Sequence, residues 1–192
     1  KGELAAFCSS SGHWLPLVCT MNVTVSTELT RTLLGLNIED MNQKAASAPL
    51  GSEGLTLLPY FNGERTPALP NAKAVLYGIT GVNYNSENLC RAAMEGATLG
   101  LRYGLDVLRQ RDIETHEIRL VGGGAKSALW RQMVADIFDC TLVCPEYSEA
   151  GAMGAALQAM WCYRNIKEGD TSFEGITLEF VSMDESTRTD PQ

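Results

Sequence analysis

Apolar and polar positions along the chain switch between two periods, and the switches mark its elements. Residues 4–25 read as short strand-like pieces punctuated by Gly12 and Pro16. Val23–Gly35 has helical spacing, with Leu29, Leu33 and Leu34 on one side and Gly35 as the stop. The apolar run Leu55–Phe61 breaks at Pro59 and leads into the irregular segment 62–72, after which Ala74–Thr80 reads as a strand. The clearest helix runs from Ser86 or Glu87 to Arg109, apolar at 89, 93, 94, 97, 101, 105 and 108. Gly96, Gly100 and Gly104 share one stripe of it. Each costs about 1 kcal/mol relative to Ala in a helix interior, so three aligned ones predict a second backbone close by.

Beyond residue 116 the pattern tightens. Glu117–Val121 is a strand, Gly122–Ser127 a glycine turn, Ala128–Phe138 a helix and Thr141–Cys144 a second strand. A third helix follows from Glu149 to about Arg164, with Ser148 as its cap and Glu149 at its positive end. Glu149, Gly151 and Gly154 are read as setting that helix start and its packing. Strand, helix, strand, helix in so short a span is the pattern of a layered α/β sheet. The closing stretch 181–192 reads as a polar tail, and no repeat or low-complexity tract appears.

Composition narrows the classes. The 192 residues are 45% hydrophobic and 20% charged, an ordinary globular balance, and no window approaches the run of about 18 apolar residues that a spanning helix needs. A net charge of −8 argues against nucleic acid and against an anionic membrane as partners, since both select a basic face. The six cysteines sit in apolar stretches and are expected to be reduced, buried thiols of a cytoplasmic protein. Cys140 and Cys144 are four apart, but no second pair or nearby His completes a zinc set, so no metal ligands are assigned. His13 and His116 show no Ser, Cys or Asp arrangement around them and read as ordinary surface or interface residues, and Asn22-Val23-Thr24 is a glycosylation triplet without meaning in such a compartment.

Chemistry concentrates at the glycine turn. Three glycines between strand and helix place backbone N–H groups at a positive helix end, which suits a phosphate or the polar edge of a nucleotide. A tight turn with no ligand fits the same residues. The Walker pattern fails, because glycine is required where Leu120 and Ala125 stand. The dinucleotide pattern fits Gly122 and Gly124, with Ser127 in the third small position and Glu146 near the acidic one. An oxidoreductase domain is therefore one alternative.

The wider string Gly122–Ala156 resembles the C-terminal half of the FGGY carbohydrate kinases. Upstream, Ala74–Glu95 is similar to that family's second sequence pattern: Gly78-Ile79, then Asn88-Leu89, then Ala92-Ala93-Met94-Glu95. Phe7-Cys8 through Gly12-His13-Trp14 is similar to the stretch after the family's second phosphate loop. Leu58–Pro67 looks like a segment of the xylulose kinases within it. The resemblance covers residues 4–165. It implies an α/β, actin-like ATPase (ribonuclease H-like) fold, specifically its C-terminal half, a mixed sheet flanked by helices. Residues 1–180 then form the ATP-side domain, truncated at both ends.

The resemblance also implies ATP as phosphoryl donor, with Mg²⁺ held through its phosphates. The acceptor is a small-molecule sugar, D-xylulose on the strength of Gly63-Glu64-Arg65-Thr66-Pro67. Gluconate, ribulose, fuculose and glycerol stay open, as does a non-enzymatic actin-like nucleotide switch. By position, Gly122, Gly123, Gly124 and Ser127 lie against the nucleotide, Gly123 and Gly124 nearest, and Gly81 with Asn85 forms a second ATP-side pair. Asn85 fits equally a turn residue before the long helix. Glycerol kinase relatives commonly carry Asn where Ser127 stands. Glu64 and Arg65 fit either an interface or substrate-side ion pair, or solvated loop charges. No catalytic side chain is assigned, because the resemblance places the general-base aspartate and the phosphate loops ahead of Lys1. The 192 residues alone are therefore expected not to phosphorylate a sugar. A homodimer is the assembly the resemblance suggests.

Overall fold

The computed structural model describes residues 3–169 and 171–192; Lys1, Gly2 and Asp170 lie outside them. Contacts divide the chain into two units, Lys1–Ala6 with Pro16–Glu114, and Phe7–Leu15 with Thr115–Gln192. Leu4–Cys8 (β1) and Trp14–Val18 (β2) pair as a two-stranded ribbon, as the strand-like reading of 4–25 requires.

The first unit is organised by one helix. Ser86–Arg109 (α3) buries Asn88, Cys90, Arg91, Ala92, Ala93 and Met94 in near succession, so its first half is enclosed on almost every side. Around it pack Val23–Leu33 (α1), Ile38–Ser47 (α2) and Thr56–Leu58 (β3), the last paired antiparallel with Val75–Tyr77 (β4). A second backbone comes close at only one of the three striped glycines, Gly96, and at Gly104 the neighbour is a side chain. A Cβ on Gly96 would sit 2.2 Å from the Leu57 carbonyl oxygen, and one on Gly104 would sit 2.7 Å from Val18 Cγ1. Gly100 faces open space, so the stripe is not uniformly packed.

Helix α1 forms where expected but turns the other way. Ser26 and Thr27 are buried, Ser26 donating to the Ala93 carbonyl at 3.0 Å, whereas Leu29 is exposed and Leu33 is 81% exposed. Small hydroxyl side chains let α1 lie close on α3, and a leucine stripe there would hold the helices apart. Helix α2 went unread in the sequence. Its start carries a standard signal, Asn37 accepting from the Asp40 N–H at 2.8 Å with Glu39 and Asp40 in the first turn.

Arg91 and Glu95 bind these pieces together. The Arg91 Nε meets Glu95 Oε1 at 2.6 Å, and Nη1 donates to the carbonyls of Ala45 (3.3 Å) and Ala48 (3.1 Å) at the end of α2. Those carbonyls have no helical partner of their own. Glu95 in turn accepts from Gly51 N–H (3.1 Å) and Ser52 Oγ (3.4 Å). Residues 51–54 form a left-handed turn, with φ of 74°, 51°, 53° and 84° at Gly51, Ser52, Glu53 and Gly54.

The second unit holds the expected strand–turn–helix–strand. Glu117–Arg119 (β5) and Thr141–Pro145 (β6) run parallel, joined through Ala128–Phe138 (α4), and β6 is buried through Leu142, Val143 and Cys144. Met183–Thr189 (β7) pairs antiparallel with β6, so the sheet order is β5-β6-β7. The polar tail expected at 181–192 is thus mostly a strand. Polar bonds rather than apolar burial fix it: Cys144 N–H to Thr187 Oγ1 (2.9 Å) and Thr141 Oγ1 to Asp190 Oδ1 (2.7 Å).

Ala150–Glu168 (α5) and Phe173–Phe180 (α6) complete the unit. Ser148 does not cap α5; Glu149 occupies the cap position, and its side chain makes no capping bond. Trp161 instead ties the other end, donating to Thr171 O at 2.8 Å and meeting Phe173 edge-on. No helix among the described residues is long and apolar enough to cross a membrane. All six cysteines are free thiols; Cys90, Cys140 and Cys144 are buried as expected, while Cys8 and Cys162 are exposed. Burial raises the Cys90 thiol to about 11.

Candidate functional site

The glycine turn is built by three different uses of a missing side chain. Gly122 leaves β5 at φ +90°, a left-handed backbone that an L side chain resists. Gly123–Lys126 then forms one 3₁₀ turn, closed by Ala125 N–H to Gly122 O (3.2 Å) and Ser127 N–H to Gly124 O (3.1 Å). A Cβ on Gly122 or Gly123 would meet nothing within 4 Å, so that flank of the main chain is open. Gly124 is different: a Cβ there would sit 3.2 Å from the Trp130 ring. The face expected at both Gly123 and Gly124 is therefore open at Gly123 and covered by indole at Gly124.

Ser127 has a local role as the cap of α4, its Oγ accepting from Trp130 N–H at 3.3 Å. Beside the turn lies a cavity of about 200 Å³ lined by Gly122, Lys126, Arg131, Cys144 and Asp184. Arg131 Nη1 donates to Ala125 O at 2.8 Å, and its Nε is buried without a partner. Glu146, which stood near the acidic position of a dinucleotide pattern, is taken up elsewhere: Ser182 donates to its carboxylate.

The second group of expected residues belongs to the first unit. Gly81 is exposed, with open space where a side chain would be. Asn85 caps α3, its Oδ1 accepting from Asn88 N–H at 2.9 Å and its Nδ2 donating to Val82 O at 3.3 Å. Gly81 and Asn85 thus lie in the first unit, and Gly122, Gly123, Gly124 and Ser127 in the second. The residue that shapes the 80–85 loop, Asn83, carried no sequence signal of its own; it is 1% exposed and bonds to Thr80, Gly78 and Glu53.

Glu64 is not a solvated loop charge, and among the described residues it makes no ion pair. It is 4% exposed, and its carboxylate accepts from Met21 N–H (2.8 Å), Asn22 Nδ2 (2.9 Å) and Arg65 N–H (2.7 Å). Burial, and then the Glu64 charge, push the Tyr60 phenol above its usual value. Arg65 itself is exposed. Asn22, first residue of the glycosylation triplet, is buried and bonded to Gly63 O at 2.7 Å, which closes it to modification.

The model for the FGGY family of carbohydrate kinases, C-terminal domain, matches residues 5–163. The chain belongs to this family. It is 50% identical over 98% of its length to xylulose kinase of Haemophilus influenzae, and 35% identical over 97% to xylulose kinase of Streptomyces rubiginosus. It spans 37% and 38% of those two proteins. Among solved structures, xylulose kinase from Bifidobacterium adolescentis superposes with a TM-score of 0.76 at 37% identity, over 89% of this chain and 33% of that one. The fold is accordingly the actin-like ATPase fold of these kinases, in its C-terminal part. The dinucleotide-oxidoreductase alternative falls with the family match.

FGGY membership gives the patterns around α3 a physical meaning. Within Arg91–Gly96, the arginine holds the end of α2, the glutamate holds the left-handed turn, and Gly96 admits the Leu57 carbonyl. At the front of α3, Glu87 bonds to Lys44 Nζ at 2.7 Å and to Ser86 Oγ at 3.0 Å. Lys44 first, then a backbone bond and Ser86, lower the Glu87 carboxyl from 4.5 to about 2. A lowered carboxylate stabilises the fold above its unfolded value and loses that contribution as pH falls from 4.5 toward 2. Glu87→Gln should therefore lower stability at pH 7 and leave it little changed at pH 2, read by urea unfolding at both. Solvent exposure of the pair keeps the effect to about 1 kcal/mol or less.

Proposed function

We propose that this chain is the nucleotide-side domain, through about residue 180, of an enzyme that phosphorylates D-xylulose with ATP. The 50% identity with xylulose kinase of Haemophilus influenzae over 98% of this chain carries the reading. Phosphoryl transfer asks a protein mainly to position donor and acceptor and to stabilise charge. The open main-chain flank at Gly122 and Gly123, at the mouth of α4, suits the flat, polar purine nucleotide. Ser127 stands at the same corner, and Gly81 and Asn85 supply the donor-side loop. Among the described residues no set of three or more His, Cys, Asp and Glu converges on a metal position. In this reading Mg²⁺ is held through the ATP phosphates.

Gluconate is the second reading, favoured by the 29% identity with gluconokinase of Bacillus subtilis over 98% of this chain. An ADP-release assay of the enzyme carrying this chain, run across D-xylulose, D-gluconate, D-ribulose, L-fuculose and glycerol, tests both. The highest kcat/KM is expected with D-xylulose. A preference for gluconate would move the acceptor, nucleotide binding without sugar-dependent turnover would favour a switch, and NADH turnover would end the kinase reading.

A further inference from the structure

We propose that Asn83 is a positioning residue for the purine-nucleotide donor, holding the 80–85 loop in its binding shape; this rests on the donor-side reading of Gly81 and Asn85. All of its polar groups are engaged, across three segments. Its Oδ1 accepts from Thr80 N–H at 2.8 Å, and its Nδ2 donates to Gly78 O (2.8 Å) and Glu53 O (3.1 Å). Its own N–H reaches Thr80 Oγ1 at 3.2 Å, and its carbonyl accepts from Asn85 N–H (3.0 Å) and Asn88 Nδ2 (3.1 Å). Gly81 is thereby fastened on both sides while its own flank stays open.

Two further observations point beyond simple loop closure. What this amide fixes is an exposed surface: Val82 is 78% and Tyr84 61% exposed, both apolar bodies held in water. A rigid loop presenting an aromatic, an aliphatic and a bare glycine is shaped to receive a flat ring. The same amide also clamps the left-handed turn through Glu53, whose carboxylate accepts from Asn88 Nδ2 at 3.2 Å. Non-glycine residues in that conformation persist only where surroundings over-determine them, and such places cluster at ligand clamps.

The test is steady-state kinetics of the enzyme carrying this chain. Asn83→Ala should raise KM for ATP and Kd for ADP about tenfold, with kcat and the sugar KM nearly unchanged. Asn83→Asp, of the same shape but unable to donate to Gly78 and Glu53, should do the same and serves if the alanine variant does not fold. A fall in kcat at unchanged KM for ATP, the mark of a smaller folded fraction, would overturn the proposal. Gly81→Val and Gly123→Val separate the two levels. If either weakens ADP binding while both Asn83 variants bind normally, this inference alone fails. If neither glycine variant matters, the donor-side reading fails with it.

Discussion

Arg91→Ala is expected to lower the stability of the first unit by about 3–5 kcal/mol, the usual result of removing one partner from a buried pair. Arg91 is 6% exposed, and its guanidinium serves three acceptors at once, Glu95 Oε1 and the carbonyls of Ala45 and Ala48. Without it a carboxylate and the end of α2 are left in the interior with nothing to replace the lost donors. Arg91→Lys keeps the charge and loses the fork, so its effect should be intermediate. Trp14, Trp130 and Trp161 all fall in the second unit, so the loss is read directly by native-state amide exchange along α3. A loss below about 1 kcal/mol, the size of an exposed ion pair, would show that the interior tolerates the vacancy.

Glu64→Gln should cost about 1.5–3 kcal/mol although it preserves shape. The carboxylate receives three donors, from Met21, Asn22 and Arg65, and offers none. An amide puts an NH₂ group in one of the two oxygen positions, so at least one contact becomes donor against donor. Amide exchange at Met21 and Arg65 should quicken before any global loss of helix is seen. Equal protection in wild type and variant would mean that Glu64 is merely enclosed there. Gly63, where a Cβ would fall 2.2 Å from Pro70 O, gives this loop little room to relax around the change.

How much of this could be read from the chain differs by element, for physical reasons. Helix α3 and the β5–turn–α4–β6 unit were legible because long apolar periods and a glycine cluster are strong local signals. The face of α1 was misread because close helix packing selected Ser26 and Thr27 over leucine, and only the partner helix makes that so. Helix α2 and strand β7 were missed because caps and polar pairing hold them, and a hydrophobic pattern registers neither. Of the residues proposed for the site, the glycine cluster at 122–124 was legible by its composition, and Gly81 and Asn85 only through the family resemblance. Asn83 went unnamed and the burial of Glu64 unread, since a buried polar residue looks like any surface one until its partners, up to 43 positions away, arrive.

Strand β7 has a consequence for solubility. Its residues, Met183-Asp184-Glu185-Ser186-Thr187-Arg188-Thr189, place two acids and an arginine along the margin of a three-stranded sheet whose middle member is almost wholly apolar. Charged margins discourage a neighbouring molecule from adding its own strand. Peeling this segment away would bare the hydrogen-bonding groups of Leu142 and Cys144 that it now covers.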